Sequence, residues 1–166
     1  MIRFGERTRA TGELTTTKTS IMKLISLFAC LLISLHLFSQ NQNDSTEIVR
    51  LLSEDYKTMG NWDIQKHIGN CTDNYLLIEN GEFWDMKREA EDYRANIHRV
   101  MDRTDNFDFK YVRVFGNIAY AVYNLKSVII ENGNVKNKNW NESVIFRKID
   151  GKWKIELIHS TPVSTN

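Results

Sequence analysis

The sequence is poor in the residues that define several common protein classes. Its 166 residues include two cysteines, one proline and eight glycines. Two cysteines exclude a disulfide framework and a zinc site built on four thiolates, and so little proline and glycine exclude collagen-like or linker-rich material. The 22 basic residues nearly balance the 21 acidic ones, so there is no electrostatic signature of nucleic-acid binding. No apolar run reaches the roughly 20 residues that a membrane-spanning helix needs.

The sequence motifs of several large enzyme classes are also missing. There is no G-x-S-x-G, no Walker-type loop and no G-x-G-x-x-G. His67, His98 and His159 are far apart, and no pair has the spacing of metal ligands. We therefore expect neither a metal site nor a cofactor. What remains is a chain that is 42% hydrophobic and has the length of one ordinary domain of roughly 100–200 residues.

The longest apolar run lies near the N-terminus. Leu24 to Phe38 is fifteen residues without a formal charge, with Lys23 before it and the small residue Ser39 after it. This is the length and setting of the apolar region of a signal peptide. We expect residues 1–39 to be an upstream extension plus a signal peptide over about 22–39.

Met22 is then the natural start of the chain, and residues 40–166 form a single domain that is exported to the periplasm or secreted. Cys30 leaves a lipoprotein as an alternative, although the apolar run continues for eight residues beyond it. An uncleaved membrane anchor is the other alternative. After cleavage we expect no contact with the membrane.

The two parts of the chain differ in charge. Residues 1–39 hold five basic and two acidic residues, so residues 40–166 carry 17 basic and 19 acidic residues and a net charge of −2. Nucleic acid is therefore not an expected partner. Cys71 is the one cysteine left, so no internal disulfide can form. We expect its side chain to be a small buried hydrophobe.

Helical periodicity marks three segments of the domain. The first helix follows the capping residues Asp44 and Ser45 and ends at Gly60; a second covers Trp62–Ile68, and a third runs from Met86 to about Met101. Each has apolar residues on one face; in the first helix they are Ile48, Leu51, Leu52, Tyr56 and Met59.

Period-2 alternation marks the strands. Tyr75–Glu79 precedes Asn80-Gly81, a strong hairpin signal, with Phe83 and Trp84 as its short return arm. Four longer runs follow, separated by turn residues: Phe107–Phe115, Ile118–Glu131, Lys138–Ile149 and Trp153–Thr161. This order predicts an α+β domain in which a cone-like, curved antiparallel sheet wraps around three helices.

Short motifs in this order resemble the nuclear transport factor 2-like superfamily, and within it the SnoaL-like and ketosteroid-isomerase-like branch. The motifs are Gly60-Asn61-Trp62-Asp63, Thr72-Asp73-Asn74-Tyr75, Ile78-Glu79-Asn80-Gly81, Asn117-Ile118-Ala119-Tyr120, Asp150-Gly151-Lys152-Trp153-Lys154-Ile155 and His159-Ser160. The resemblance implies a pocket between the sheet and the helices. It does not decide function, because such domains include enzymes, ligand-binding proteins and association domains.

Two polar residues are expected to face this pocket. Strand alternation places Glu142 on the face of Trp140, and it places His159 on the face of Trp153. A carboxylate or imidazole among aromatic rings can serve as a general acid or base. The alternative is that Glu142 is solvated at a strand end and that His159 is a hydrogen-bonded core residue.

Aromatic residues complete the predicted ligand-binding set. Tyrosine hydroxyls in an apolar pocket can stabilise a developing enolate, and tryptophans at its mouth can form a platform for a ligand. The same residues can equally be ordinary core. The predicted set is Tyr56, Trp62, Trp84, Tyr93, Tyr123, Trp140, Glu142 and His159.

The resemblance to ketosteroid isomerase is incomplete at the catalytic positions. A carboxylate base is expected near the end of the first strand, where this chain has Glu79 followed by Asn80, which cannot take a proton. The second acid has no counterpart among Ala119, Ala121 and Tyr123. The candidate catalytic residues are thus Glu142, His159 and Glu79.

Three functional hypotheses follow. The first is an exported domain that binds a small hydrophobic molecule, with weak or no catalysis, as a homodimer through the outer face of its sheet. The second is a lyase, isomerase or cyclase that acts on a small carbonyl compound through a pocket Glu or His with a Tyr. The third is an association module with a vestigial cavity.

Overall fold

The computed structural model describes residues 42–164. The first helix, α1, covers 42–61 of these residues. The remaining elements are α2 (Ile64–Asn70), β1 (Cys71–Glu79), β2 (Glu82–Asp85), α3 (Met86–Asn96), β3 (Met101–Phe115), β4 (Ile118–Glu131), β5 (Asn134–Ile149) and β6 (Lys152–Pro162). They belong to the compact unit Asn43–Asn166.

The predictions about residues 1–39 lie outside the described residues. The start at Met22, the signal peptide and the export of the domain therefore stay predictions. Between residues 42 and 164, every helix is too short or too polar to cross a lipid bilayer.

The six strands form one curved, unclosed sheet in the order β2-β1-β6-β5-β4-β3. The antiparallel meander β3 to β6 is confirmed. The predicted α+β domain, with three helices and a curved sheet, is confirmed, but the sheet is mixed and not entirely antiparallel, because β1 pairs with β6 in parallel. The chain reaches β6 through α3 and the whole meander, and a parallel pair requires a long connection of this kind.

Helix α1 packs its apolar stripe against the inner face of the sheet. Ile48 and Leu52 are fully buried, and so are Ala121, Phe146 and Ile155 on the central strands. Small alanines on β4 beside large residues on β5 and β6 let the helix lie close to the sheet. Burial of each large aliphatic or aromatic side chain stabilises the fold by about 1.5–3 kcal/mol.

The hairpin turns follow the predicted dipeptides. Asn80-Gly81, Asn132-Gly133 and Asp150-Gly151 all have positive φ at both residues, between 50° and 78°. This is the backbone of a two-residue turn whose twist matches that of the strands, and asparagine, aspartate and glycine adopt it at least cost.

Several predicted boundaries were wrong, and those of α3, β3 and α2 involve polar residues. Helix α1 also includes Asp44 and Ser45, which the sequence predicted as its capping residues. Helix α3 ends at Asn96, and β3 already begins at Met101. The inward positions of early β3 include Arg103 and Asp105, so no apolar alternation marks the strand. Helix α2 begins at Ile64 with Asp63 as its N-cap, whose side chain accepts a hydrogen bond from the Lys66 amide.

Candidate functional site

A cavity of about 220 Å³ lies between the helices and the inner face of the sheet. All three helices and all six strands contribute to its wall. The aromatic residues of the wall are Tyr56, Trp62, Tyr75, Trp84, Tyr93 and Trp140, and its charged residues are His67, Glu79, Glu89, Asp92, Arg103 and Glu142.

Glu142 on β5 is buried in this wall. Its side chain points inward with its neighbours Val144 and Phe146, as the alternation predicts. One carboxylate oxygen accepts a short hydrogen bond from the Tyr56 hydroxyl, and the other accepts one from Ser160 Oγ at 2.9 Å. Both oxygens of a buried carboxylate therefore have a donor, which offsets its desolvation.

Two tyrosines form a chain of hydroxyls that ends at Glu142. Tyr123 on β4 donates to the Tyr56 hydroxyl at 3.3 Å, and Tyr56 donates to Glu142. Burial raises the pKa of both phenols, and the negative charge of Glu142 raises them further. Both tyrosines are thus neutral hydrogen-bond donors in the physiological pH range. Tyr123 lies behind Tyr56, outside the cavity wall.

Glu79 lies at the end of β1 and lines the cavity with its side chain partly buried. Burial raises the pKa of Glu79, and the charges of Glu142 and Glu89 raise it further, while Arg103 acts in the opposite direction. Glu79 and Glu142 thus interact across the same cavity, although 62 residues of sequence separate them.

The prediction that His159 faces the pocket was wrong. The pairing of β5 with β6 shifts between Ile145 and Phe146. This irregularity reverses the alternation of β6, so that Ile158 and Ser160 point inward and His159 is exposed. The residue that meets Glu142 from β6 is therefore Ser160.

The remaining predicted aromatics lie at the cavity. Trp62 follows α1 and donates its indole N–H to the Arg99 carbonyl at 3.0 Å, and its ring meets that of Tyr93 edge to face. Trp84 is on the short strand β2, and Trp140 is on β5. A role of these residues in ligand binding stays a prediction.

A buried polar cluster of Asp55, His67 and Glu89 was not predicted. His67 Nδ1 lies 3.0 and 3.1 Å from the two Asp55 carboxylate oxygens, and Nε2 lies 3.5 Å from Glu89 Oε1. Asn70 donates to Asp55 at 2.9 Å. The sequence does hold one signal, because Asp55 falls on the apolar stripe of α1, four residues after Leu51.

The surroundings of His67 favour its protonated form. Burial acts to lower the pKa of His67, but its contacts with Asp55, Cys71 and Glu89 outweigh burial and raise it. The Tyr93 ring stacks on the imidazole, and the Tyr75 ring meets it edge to face. His67 and Glu89 both line the cavity, so this cluster forms a second polar surface within it.

Within residues 42–164, one group could hold a metal ion, namely Asp55, His67 and Cys71, whose donor atoms lie within 4.8 Å of one another. Such a mixed oxygen, nitrogen and sulfur set suits zinc. Here, however, the His67 nitrogens face carboxylates as a protonated imidazole, and burial raises the pKa of the Cys71 thiol to about 11. A metal would have to displace these protons, so the cluster is a hydrogen-bonded network.

Arg103 is a further charged residue of the cavity wall that the sequence analysis did not predict. Its guanidinium donates to Asp105 at 2.9 and 3.0 Å and to Ser127 Oγ at 3.2 Å. It also lies over the rings of Tyr56 and Trp140, at 5.7 and 5.9 Å. Arginine at this position therefore combines an ion pair with stacking on the aromatic wall.

Comparison with known proteins assigns the fold. No protein-family model matches the chain, and no curated protein is significantly similar to it. Among solved structures, a nuclear transport factor 2-like superfamily protein from Salmonella enterica has a TM-score of 0.64 at 18% identity, covering 75% of this chain and 94% of that one. At this identity the likeness shows the fold alone.

Further structural neighbours have different functional names. A CaMKII hub homology domain from Chlamydomonas reinhardtii has a TM-score of 0.66 at 16% identity, covering 73% of this chain and 99% of that one. A ketosteroid isomerase-like protein from Erwinia carotovora has a TM-score of 0.59 at 17% identity, covering 72% of this chain and 96% of that one. The association domain of CaMKII from C. elegans is also similar, with a TM-score of 0.61 at 17% identity, covering 74% of this chain and 98% of that one.

Proposed function

We propose that this chain is a small-molecule-binding domain of the nuclear transport factor 2-like fold. The observation that carries the proposal is the buried carboxylate of Glu142 in the wall of an aromatic cavity, held by Tyr56 and Ser160. A vestigial cavity would be expected to close with apolar side chains, since a buried charge is costly unless it is paired and bonded. A wall with convergent polar groups is typical of ligand sites.

Filling the cavity tests this proposal. Leu77 on β1 lines the cavity, whereas its neighbour Leu76 lies outside the cavity wall. We expect native mass spectrometry of the protein from its native host to recover a small molecule. Leu77→Phe should reduce its recovery about tenfold or more, and the matched control Leu76→Phe should retain it. Equal recovery from both variants, or none from the wild type, would contradict the proposal.

A second candidate function is proton transfer on a small carbonyl compound, which the contact between Glu142 and Tyr56 favours. Glu142 would take a proton next to the carbonyl, and a tyrosine hydroxyl would donate to the developing enolate oxygen. The Tyr56 hydroxyl already donates to Glu142, so the enolate donor would be Tyr75, whose buried hydroxyl has no hydrogen-bond partner within residues 42–164. Binding without catalysis is the simpler use of this geometry.

Two variants separate catalysis from binding. On a β,γ-unsaturated ketone, we expect an enzyme to lose at least about a hundredfold in turnover with Glu142→Gln, since a general base contributes roughly 10²–10⁴. Ser160→Ala should change turnover much less because it leaves the carboxylate in place. Wild-type turnover no faster than the buffer rate would remove the second candidate and leave ligand binding intact.

We also propose that the domain forms a homodimer through the outer face of its sheet. Phe115, Ile118, Tyr120 and Ile145 are 39–65% exposed there. They form one patch, because Phe115 pairs with Ile118 across β3 and β4, and Tyr120 pairs with Ile145 across β4 and β5. An exposed apolar patch of this kind is typical of an association surface.

Export is the remaining part of the proposal. It rests on the apolar segment Leu24 to Phe38, which follows Lys23. The length of this segment is that of the apolar region of a signal peptide. N-terminal sequencing of the protein from its native host should give a start near residue 40. A protein that retains Met22 would contradict cleavage.

A further inference from the structure

Acidic residues outnumber basic residues in the wall of the cavity. Glu79, Glu89, Asp92 and Glu142 line it with only two cationic side chains, His67 and Arg103. These two cations are also bonded to acids outside the wall, His67 to Asp55 and Arg103 to Asp105. Six carboxyl groups therefore surround two cationic side chains at this cavity.

Two buried polar atoms at this cavity, the Tyr75 hydroxyl and Glu89 Oε2, make no hydrogen bond of normal geometry within residues 42–164. Their side chains are neighbours, because Glu89 adds to the effect of burial in raising the pKa of Tyr75. Their residues are 3% and 6% exposed, and both line the cavity. An unpartnered carboxylate oxygen in a buried position is a strong acceptor that lacks its donor.

The aromatic part of the wall suits a cationic ligand. Ring faces attract cations, most strongly those of tryptophan. The Arg103 guanidinium over Tyr56 and Trp140 shows that this wall already holds one cation. Trp62 and Trp84 add two more indole rings, and the Arg99 and Arg88 guanidiniums lie over them at 5.5 and 4.1 Å.

We propose that the cavity binds a small organic cation, a primary or secondary ammonium on a compact apolar body. The ammonium N–H groups donate to Glu89 Oε2 and Glu79, and the apolar body lies against the tryptophans. The volume of about 220 Å³ is below the roughly 300–1,000 Å³ of sites for drug-sized ligands, so the ligand is smaller than these. This inference rests on the proposed ligand-binding function and specifies its ligand class.

A matched set of probes tests the charge requirement. Calorimetric titration of the full chain with 2-phenylethylamine, 2-phenylethanol and phenylacetate compares a cation, a neutral molecule and an anion of similar size. We expect the amine to bind about tenfold or more tighter than the alcohol, the gain that a desolvated charge contact provides, and phenylacetate to bind weakest.

Glu79→Gln is the principal variant, because the Glu79 side chain makes no ion pair within the described part of the chain. It should reduce amine affinity about tenfold and leave alcohol affinity unchanged. Glu91→Gln, on the exposed side of α3, is the control and should change neither. Circular dichroism checks that each variant is folded.

The outcomes separate this inference from the function on which it rests. If the alcohol or phenylacetate binds as tightly as the amine, the cavity binds ligands and the cation inference is overturned. If Glu79→Gln leaves amine affinity unchanged, the assigned carboxylate is wrong and the inference is also overturned. If no probe binds and Leu77→Phe does not change small-molecule recovery, ligand binding itself fails.

Discussion

The Asp55–His67–Glu89 cluster places a positive charge between two negative charges inside the protein. His67 is 1% exposed and Asp55 is fully buried. A buried ion pair need not stabilise a fold, but removal of one partner leaves an uncompensated charge and costs about 3–5 kcal/mol. The cluster joins α1, α2 and α3 at the cavity wall, so the same contacts that fix the three helices also fix one side of the site.

His67 gives the stability of the domain a defined pH dependence. Its pKa is raised in the folded state and is about 6.5 in the unfolded chain, so folding takes up a proton above that pH. The contribution of His67 to stability is then fully present below pH 6.5 and falls by up to about 1.4 kcal/mol per pH unit as pH rises toward the folded-state pKa. Urea unfolding between pH 6.5 and 8.5 measures this slope.

His67→Gln should remove the slope and also lower stability by about 3–5 kcal/mol at pH 6.5. His159→Gln changes an exposed imidazole and should leave the slope as in the wild type. Parallel pH profiles for the wild type and His67→Gln would show that His67 does not hold the proton.

At the scale of single elements, α3 and β6 show how local structure decides which side chains reach the cavity. Helix α3 carries Glu89, Asp92 and Tyr93 to the cavity wall. In β6, one register shift against β5 turns Ser160 inward and His159 outward. Alternate side chains of a strand point to opposite faces of the sheet. A single irregularity therefore reverses the face to which every later side chain points.

The N-cap of α3 is a testable support of the cavity wall. The Asp85 carboxylate accepts a hydrogen bond from the Arg88 amide at 2.8 Å, and its charge lies favourably at the positive end of the helix. Asp85→Ala should lower the free energy of unfolding by about 1 kcal/mol. Asp85→Asn should retain most of it, since an amide oxygen also caps a helix.

Chemical denaturation of the wild type, Asp85→Ala and Asp85→Asn measures the free energy of unfolding. Glu91→Ala is the control, at an exposed position of the same helix. Equal stability of Asp85→Ala and the wild type would mean that this hydrogen bond does not support α3.

On the scale of the whole molecule, the sheet has two different faces. The inner face carries the core and the cavity, whereas the outer face exposes Phe115, Ile118, Tyr120 and Ile145. Structural neighbours with this fold include association domains. The two faces allow ligand binding and self-association in one domain, because neither uses the surface of the other.

Sedimentation velocity of a Tyr120→Lys variant tests the proposed dimer. A lysine at the centre of a self-complementary apolar surface places like charges opposite each other, so we expect the wild type to sediment as a dimer and the variant as a monomer. Lys126→Glu lies six residues along the same strand, about 20 Å away, and should remain dimeric. A monomeric wild type at micromolar concentration would contradict the proposal.

The sequence by itself determined most of the element order and the inner side of β5. Amphipathic periodicity and the Asn-Gly and Asp-Gly turns are local signals, so they predicted three helices, the hairpins and the inward direction of Glu142. Of the predicted aromatic residues, Tyr56, Trp62, Trp84, Tyr93 and Trp140 line the cavity, whereas Tyr123 does not and Tyr75 was not predicted.

Only the tertiary structure decided which polar groups meet. The parallel pairing of β1 with β6, the register shift in β6 and the polar inward residues of early β3 all depend on contacts between distant segments. His67, Asp55 and Glu89 come from three helices, and no spacing in the sequence shows that their side chains converge. The physical reason is that a buried charge is tolerated where partners surround it, and those partners are supplied by the fold.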